Sequence, residues 1–205
     1  MRRIRRVKAE AATFDRIRQA LAQPGEASSD FDLNAPQMAG AVSLRPAGVL
    51  VPLIEVDGEI RVILTKRASH LKHHPGQIAF PGGKQEDSDA DVIEAALREA
   101  EEEIGLPRDM VEVLGDLPPH ETVSVFSVTP VVARITGPFD RVPEPGEVEE
   151  VFDVPLAHLL NPDNYWIEGR RWRGQRRNYF VVPWGPYYVW GATARMLRVL
   201  ADRLR

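Results

Sequence analysis

Two apolar runs joined by a turn dipeptide constrain the fold of this chain more than any other feature. The runs at residues 49–54 and 61–65 are rich in Val, Ile and Leu, and Asp57-Gly58 lies between them. An Asp-Gly pair between two such runs is a strong signal for a tight β-hairpin turn. The sequence therefore predicts that an antiparallel pair of strands begins the core sheet near residue 47.

Helical and strand-like segments alternate irregularly along the rest of the chain. In chain order, the sequence predicts helices at about 9–21, 90–104, 156–160 and 189–204, and strands at about 111–114, 123–135 and 179–182. These segments do not follow a regular strand–helix–strand repeat, so we expect an α/β/α or α+β fold with a mixed β-sheet. We predict an N-terminal helix and arm over residues 1–46 and one domain over residues 47–205.

Composition excludes several classes of function. The 205 residues include no cysteine, which rules out disulfides, thiolate nucleophiles and zinc sites built on sulfur. The net charge of −4 predicts no general attraction to nucleic acid or to a membrane surface. No apolar run reaches the roughly 18 to 20 residues of a membrane span, and no apolar segment follows the basic N-terminus as in an export signal. We therefore expect a cytoplasmic protein.

The helix predicted at 90–104 carries a cluster of acidic residues. At about 100° per residue, Glu99, Glu102 and Glu103 fall within an arc of about 100°. Carboxylates at these spacings repel one another, whereas Mg²⁺ or Mn²⁺ would bind such a group of oxygen atoms. The alternative is a solvated acidic face. The core-facing stripe of the same helix has helical spacing and consists of Ile93, Ala96, Leu97, Ala100 and Ile104.

A glycine-rich segment, Pro81-Gly82-Gly83, precedes this helix. Glycine lets the backbone approach another strand or a ligand closely, and a glycine-rich turn before a helix is a common phosphate-binding element. Gly82 and Gly83 are therefore candidate substrate-binding residues. Arg98 follows Glu94 by four residues, so the two side chains could pair and orient one side of the acidic cluster.

The segment from Gly83 to Leu106 resembles the signature of the Nudix hydrolases. That signature has a glycine, an acidic residue six positions later, and then Arg-Glu-aliphatic-x-Glu-Glu-x-Gly-aliphatic. Its second half is matched here by Arg98-Glu99-Ala100-Glu101-Glu102-Glu103-Ile104-Gly105-Leu106. The first half departs from the signature, because Asp89 stands in place of glutamate and eight residues rather than seven separate it from Arg98.

A second segment is similar to the additional signature of the coenzyme A pyrophosphatase branch of that family. It consists of Ile63-Leu64-Thr65-Lys66-Arg67-Ala68, followed by Lys72, Gly76 and Phe80-Pro81-Gly82-Gly83. Ala68 replaces the usual serine and Lys72 the usual arginine. The stretches at 147–156 and 188–194 also resemble this branch.

The resemblance implies the Nudix fold, an α/β/α sandwich with a mixed β-sheet. It implies a Mg²⁺ or Mn²⁺ ion bound by Glu99, Glu102 and Glu103, with Arg98 orienting these ligands and Glu99 and Glu102 taking part in catalysis. It also implies a further ligand or base from a loop outside the signature. Our candidate is Glu147, with Glu149 and Glu150 as alternatives, and a solvated acidic loop is the other interpretation.

The implied reaction is hydrolysis of the diphosphate of coenzyme A or acyl-CoA to adenosine 3′,5′-bisphosphate and 4′-phosphopantetheine or its acyl derivative. Arg67 and Lys72 are candidate phosphate contacts. The alternatives are another nucleoside diphosphate derivative, such as ADP-ribose, NADH or a nucleoside triphosphate, or a nucleotide-binding module without activity.

A basic run at 170–177 and four tryptophans are not part of either signature. We expect the basic run to form a polar hairpin, a rim of a homodimer or a contact for an anionic substrate tail, rather than a nucleic-acid site. We expect core or oligomer contacts for the tryptophans Trp166, Trp172, Trp184 and Trp190.

Overall fold

The computed structural model describes residues 13–34, 43–172 and 174–205. The helices are α1 (Phe14–Leu21), α2 (Val92–Ile104), α3 (Leu156–Leu160) and α4 (Gly191–Arg203). The strands are β1 (Ser28–Ser29), β2 (Arg45–Val56), β3 (Glu59–Arg67), β4 (Ile78–Ala79), β5 (Gly82–Lys84), β6 (Val111–Asp116), β7 (His120–Glu121), β8 (Phe126–Ile135), β9 (Val148–Pro155), β10 (Trp166–Trp172) and β11 (Gln175–Val181). Residues 9–12 of the predicted first helix and 35–42 of the predicted arm lie outside the described residues.

The predicted hairpin is confirmed by β2 and β3, which pair antiparallel. Val56 is the register partner of Glu59, so two residues form the turn. These residues, Asp57 and Gly58, have φ values of 51° and 77°. Two successive positive φ values match the right-handed twist of the strands, which is why Asp-Gly is favoured at this position.

The main sheet has nine strands and is mixed, as expected. β2 lies at its centre, pairing parallel with β8 and antiparallel with β3 and β5. β9 pairs antiparallel with β3, and β6 and β7 pair antiparallel with β8. The strands β10 and β11 form a separate two-stranded antiparallel sheet.

Helices cover both faces of the main sheet. Along β2, Leu50 and Ile54 belong to the core cluster under α2, whereas Val51 and Leu53 belong to the cluster shared with α1 and α4. Successive side chains of a strand point to opposite faces, so a strand buried on both faces reads as a nearly continuous apolar run. The α/β/α sandwich is therefore confirmed.

The prediction for β8 had the wrong starting residue, and β9 was not predicted as a strand. Residues 147–150 were read as an acidic loop, but β9 begins at Val148 and pairs with β3 along its length. Glutamate is depleted in strands, so the glutamates at the start of β9 did not indicate a strand. β8 begins at Phe126 rather than at residue 123, because Val125 has a φ of 67° and ends a turn.

The predicted arm is tied to the domain wherever the structure describes it. Ile17 and Leu21 of α1 are buried in the main core cluster, and β1 pairs parallel with β7. β2 starts at Arg45, two residues before the predicted domain boundary. None of the described helices is long and apolar enough to cross a membrane.

Gly48 is the residue at which β2 passes closest to α2. A Cβ atom built on Gly48 would overlap the carbonyl oxygen of Val92 and lie 3.1 Å from the backbone nitrogen of Ala96. Both neighbours are main-chain atoms, so no side-chain rotation can relieve the overlap.

We therefore expect Gly48→Ala to destabilise the protein by about 1 to 3 kcal/mol, the usual cost of overpacking. Equilibrium unfolding in urea measures this change. Gly137→Ala is the matched control: the nearest atom to its Cβ would be the Met110 methyl carbon at 3.8 Å, so a shift within about 0.5 kcal/mol is expected. Equal effects of the two substitutions would contradict the close approach.

Candidate active site

The caps of α2 fix the helix that carries the acidic cluster. The Asp91 side chain accepts hydrogen bonds from the backbone N–H groups of Ile93 and Glu94 at the N-terminus. At the C-terminus, Gly105 adopts the left-handed conformation with a φ of 69°, and the N–H of Leu106 donates to the carbonyl of Ala100. The predicted helix at 90–104 is confirmed to within two residues.

Arg98 is the centre of an ion-pair network on this helix. Its guanidinium donates to both carboxylate oxygens of Asp89, at 3.0 Å each. It also donates to Glu99 and to Glu102, at 3.0 Å in each case. The hydrogen bonds from Arg98 lower the pKa of Asp89. Asp89, at the position where the family signature has glutamate, thus acts on the site by holding Arg98.

The predicted pair between Arg98 and Glu94 is not formed. Glu94 accepts a hydrogen bond from Arg108 at 2.9 Å, and Glu101 does the same. Arg98 is instead held on the other side of the helix by the bidentate contact with Asp89, the geometry that a guanidinium prefers.

Glu103 and Glu99 pack against the glycines of β5. Glu103 is buried and accepts a hydrogen bond of 3.2 Å from the backbone N–H of Gly82. Burial raises the pKa of Glu103 to about 8. Burial also raises the pKa of Glu99, against the lowering effect of Arg98. A Cβ atom at Gly83 would overlap the Glu99 carboxylate, so glycine is what lets this carboxylate reach the strand.

Glu147 approaches the same carboxylates from the loop between β8 and β9. The N–H of Glu144 donates to the carbonyl of Glu103 at 2.9 Å, which ties the loop to the end of α2. The N–H of Ala68 donates to the carbonyl of Glu147 at 2.8 Å. The negative charge of Glu147 contributes to the raised pKa values of Glu99 and Glu103. The loop is therefore anchored on both sides of the acidic cluster.

The two alternative glutamates of this region have other partners. Glu149 accepts hydrogen bonds from Lys66, at 2.6 Å, and from Ser69. Glu150 accepts a hydrogen bond of 2.5 Å from the Tyr187 hydroxyl. Glu149 and Glu150 are thus engaged by other side chains, whereas the charge of Glu147 contributes to the raised pKa values of Glu99 and Glu103.

The acidic side chains are chemically suited to a divalent metal ion. Within the described ranges, no three acidic or histidine side chains are gathered closely enough to hold a metal as they stand. The expected single patch is divided, because Arg98 draws Glu99 and Glu102 while Glu103 turns to Gly82. The donor set nevertheless fits: buried or mutually repelling carboxylate oxygens are the ligands that Mg²⁺ and Mn²⁺ prefer, and a cation would stabilise their charged forms.

A cleft of about 690 Å³ lies beside these carboxylates and shares Gly82 with them. This volume is in the range of small-molecule sites. The lining includes three arginines and three aromatic side chains, namely Arg67, Arg170, Arg177, Phe80, Tyr179 and Trp190.

Two of the four predicted substrate-binding residues line this cleft. Arg67 and Gly82 do so, whereas Gly83 backs onto the Glu99 carboxylate and Lys72 is exposed on the following loop. Trp190 lines the cleft, in place of the core or oligomer contact expected for it.

For the basic run at 170–177 the sequence left three alternatives open, namely a polar hairpin, a rim of a homodimer and a contact for an anionic substrate tail. The structure forms it into a hairpin, as one of the three expectations had it.

Comparisons with known proteins agree with this fold. Residues 44–173 match the NUDIX domain family model. The chain is 42% identical over 174 residues to the uncharacterized Nudix hydrolase NudL of Enterobacter sp. (strain 638), which covers 84% of this chain and 90% of that protein. NudL of Escherichia coli O1:K1 is 41% identical over the same length. The chain therefore belongs to the Nudix hydrolase family.

A solved structure shows the same fold at low sequence identity. The NUDIX domain of Shewanella oneidensis NrtR, crystallised with ADP ribose, covers 86% of this chain and 97% of that chain, with a TM-score of 0.51 and 16% identity. This similarity supports the architecture of the sandwich.

The buried Glu103 carboxyl predicts a pH-dependent stability of the metal-free protein. Its pKa rises from the ordinary value of 4.5 to about 8 on folding, so the folded protein binds the proton more tightly. The contribution to stability is complete below pH 4.5 and is lost as the pH rises through 8. In chelator, wild type should lose about 1.4 kcal/mol per pH unit over this window relative to Glu103→Gln.

Urea unfolding of both proteins at several pH values measures this difference. Glutamine keeps an oxygen that can accept from Gly82 but cannot ionise, and the comparison therefore isolates the Glu103 proton. Parallel pH profiles for the two proteins would show that Glu103 is already ionised in the folded state.

Proposed function

We propose that this protein hydrolyses the diphosphate of coenzyme A or acyl-CoA, in a reaction that depends on Mg²⁺ or Mn²⁺. One observation carries the proposal: the segment that resembles the coenzyme A pyrophosphatase signature forms a wall of the cleft. Arg67 at the end of β3, the loop at 74–77 and Phe80 with Gly82 all line it. This wall meets the acidic cluster at Gly82.

Five side chains are assigned to the metal and to catalysis, namely Arg98, Glu99, Glu102, Glu103 and Glu147. Glu99, Glu102 and Glu103 would hold the metal, which supplies charge neutralisation of the diphosphate and activation of water. Asp89 fixes Arg98, and Arg98 in turn positions Glu99 and Glu102. Glu147 is our candidate general base, because its loop brings it to the carboxylates from outside the helix.

The cleft suits an anionic nucleotide. It combines guanidinium groups, which bind phosphate through charge-assisted hydrogen bonds, with aromatic surfaces on which a base can stack. Its single acidic lining residue among the described residues is Asp30, whose two oxygens accept hydrogen bonds from His120 and from the backbone of Val123. The negative charge of Asp30 is thus already engaged within the protein.

A substrate panel tests the proposal. Purified protein is incubated with CoA, acetyl-CoA, ADP-ribose and NADH, each with Mg²⁺, with Mn²⁺ and with excess chelator, and the products are separated by chromatography. We expect adenosine 3′,5′-bisphosphate and 4′-phosphopantetheine from CoA, and no turnover in chelator. Preferred cleavage of ADP-ribose, the ligand of the NrtR domain, or of NADH would overturn the CoA assignment. Turnover in chelator would contradict the proposed dependence on a metal ion.

Glu102→Gln should lower kcat by orders of magnitude without unfolding the protein. The Glu102 side chain is 59% exposed, so the substitution leaves the core intact while it removes a ligand charge. Glu101→Gln is the matched control, since Glu101 lies on the same helix and contacts only the surface Arg108 among the described residues. If Glu102→Gln keeps a rate near that of wild type, the acidic cluster is a solvated helix face and not a metal site.

Arg67→Ala should reduce kcat/KM for CoA by roughly 10- to 150-fold, the equivalent of one charge-assisted contact of about 1.5 to 3 kcal/mol. We place Arg67 at the diphosphate end of the cleft, because it lines the cleft together with Gly82, whose N–H donates to Glu103. The loss should therefore be equal for CoA and for dephospho-CoA.

Lys66→Ala controls for the loss of a neighbouring charge, because Lys66 pairs with Glu149 and does not line the cleft. A loss confined to CoA would move Arg67 to the 3′-phosphate, and no loss on either substrate would remove it from the site.

A further inference from the structure

The hairpin of β10 and β11 presents two arginines to the cleft. Arg170 and Arg177 are directly opposite each other in the antiparallel register, and both line the cleft. The adjacent pair, Arg171 and Arg176, does not line it. Successive side chains of a strand point to opposite faces, so the hairpin directs one arginine pair into the cleft and the other away from it.

Arg170 and Arg177 carry like charges at opposite positions of the hairpin. Like charges directly opposite each other destabilise an antiparallel pair of strands. Across the described part of the chain, no carboxylate forms an ion pair with Arg170, whose guanidinium lies 5.7 Å from the centre of the Trp190 ring. An anion bound between Arg170 and Arg177 would remove this repulsion.

An aromatic surface adjoins the two arginines. Trp190 precedes α4, and its backbone bridges to Val181 at the end of the hairpin. The Tyr179 and Trp190 rings lie 5.0 Å apart at an angle of 59°, and both line the cleft. A half-buried indole beside guanidinium groups is suited to stacking a nucleobase whose sugar carries a phosphate.

We propose that Arg170 and Arg177 bind a phosphomonoester remote from the scissile diphosphate, with the nucleobase against Trp190. The inference rests on the proposed function for the identity of the substrate. Arg67 is assigned to the diphosphate end, because it lines the cleft together with Gly82, whose N–H donates to Glu103, whereas the hairpin belongs to a separate sheet. Arg170 and Arg177 are thus specificity-determining residues, which select nucleotides that carry a second phosphate.

Binding measured in chelator tests this site without hydrolysis. Isothermal titration calorimetry compares adenosine 3′,5′-bisphosphate with adenosine 5′-monophosphate on the full chain. Wild type should bind the bisphosphate more tightly. Arg170→Ala and Arg177→Ala should each weaken bisphosphate binding by about 10- to 100-fold, as expected for one charged hydrogen bond, and leave the monophosphate nearly unchanged.

Arg171→Ala is the matched control, because it removes the same charge from the opposite face of the hairpin. It should bind both nucleotides as wild type does. Arg170→Lys should recover part of the affinity, since it restores the charge without the bidentate geometry, and circular dichroism checks that each variant is folded.

Three results would overturn the proposal: wild type that does not distinguish the two nucleotides, equal weakening of both nucleotides by Arg170→Ala, or equal weakening by Arg171→Ala. Failure of the proposed function is separate, because it would appear as absent CoA hydrolysis while selective binding of the bisphosphate persists. Conversely, if Arg170→Ala hydrolyses CoA with an unchanged KM, the proposed phosphate site on the hairpin is contradicted and the proposed function is not.

Discussion

The site depends on close approaches between backbones that only glycine permits. Gly48 lets β2 pass against the first turn of α2, and Gly82 lets β5 lie against β2, where a Cβ atom would be 2.5 Å from the Val49 Cα. Gly83 then leaves room for the Glu99 carboxylate. Main-chain contacts, rather than adaptable side chains, thus set the distance between the acidic helix and the sheet. Every catalytic assignment assumes that spacing.

Charge is unevenly compensated within this frame. Arg98 pairs with Asp89, Glu99 and Glu102, so three carboxylates share one positive charge and this part of the cluster keeps a net negative charge. Glu103 is buried with a backbone N–H as its hydrogen-bond donor. Desolvation of such a carboxyl favours its neutral form. The site therefore holds the ion-pair network of Arg98 beside the buried Glu103 carboxyl. A bound cation would favour the ionised form of Glu103.

Local patterns predicted the elements, and long-range pairing explains what was missed. The Asp57-Gly58 turn and the apolar stripe of α2 are encoded within a few residues, and both were found. β9 carries two consecutive exposed glutamates near its start, and its pairing with β3 makes it a strand. The partner of Arg98 was likewise misassigned to Glu94, because sequence spacing does not show that Asp89 folds back onto the helix. The position of the arginine hairpin beside the cleft depends on tertiary contacts, so the sequence could not decide between a polar hairpin, a homodimer rim and a substrate contact for the basic run.

The hairpin of β10 and β11 forms its own two-stranded sheet, apart from the main sheet against which the acidic helix α2 packs. Its ladder hydrogen bonds are internal, and changes of length or composition at its tip leave the register of the main sheet untouched. Under the proposed assignments, cleavage depends on α2 and nucleotide selection on this hairpin. A change in the hairpin is therefore expected to alter which nucleotide the protein accepts without moving the helix that holds the carboxylates.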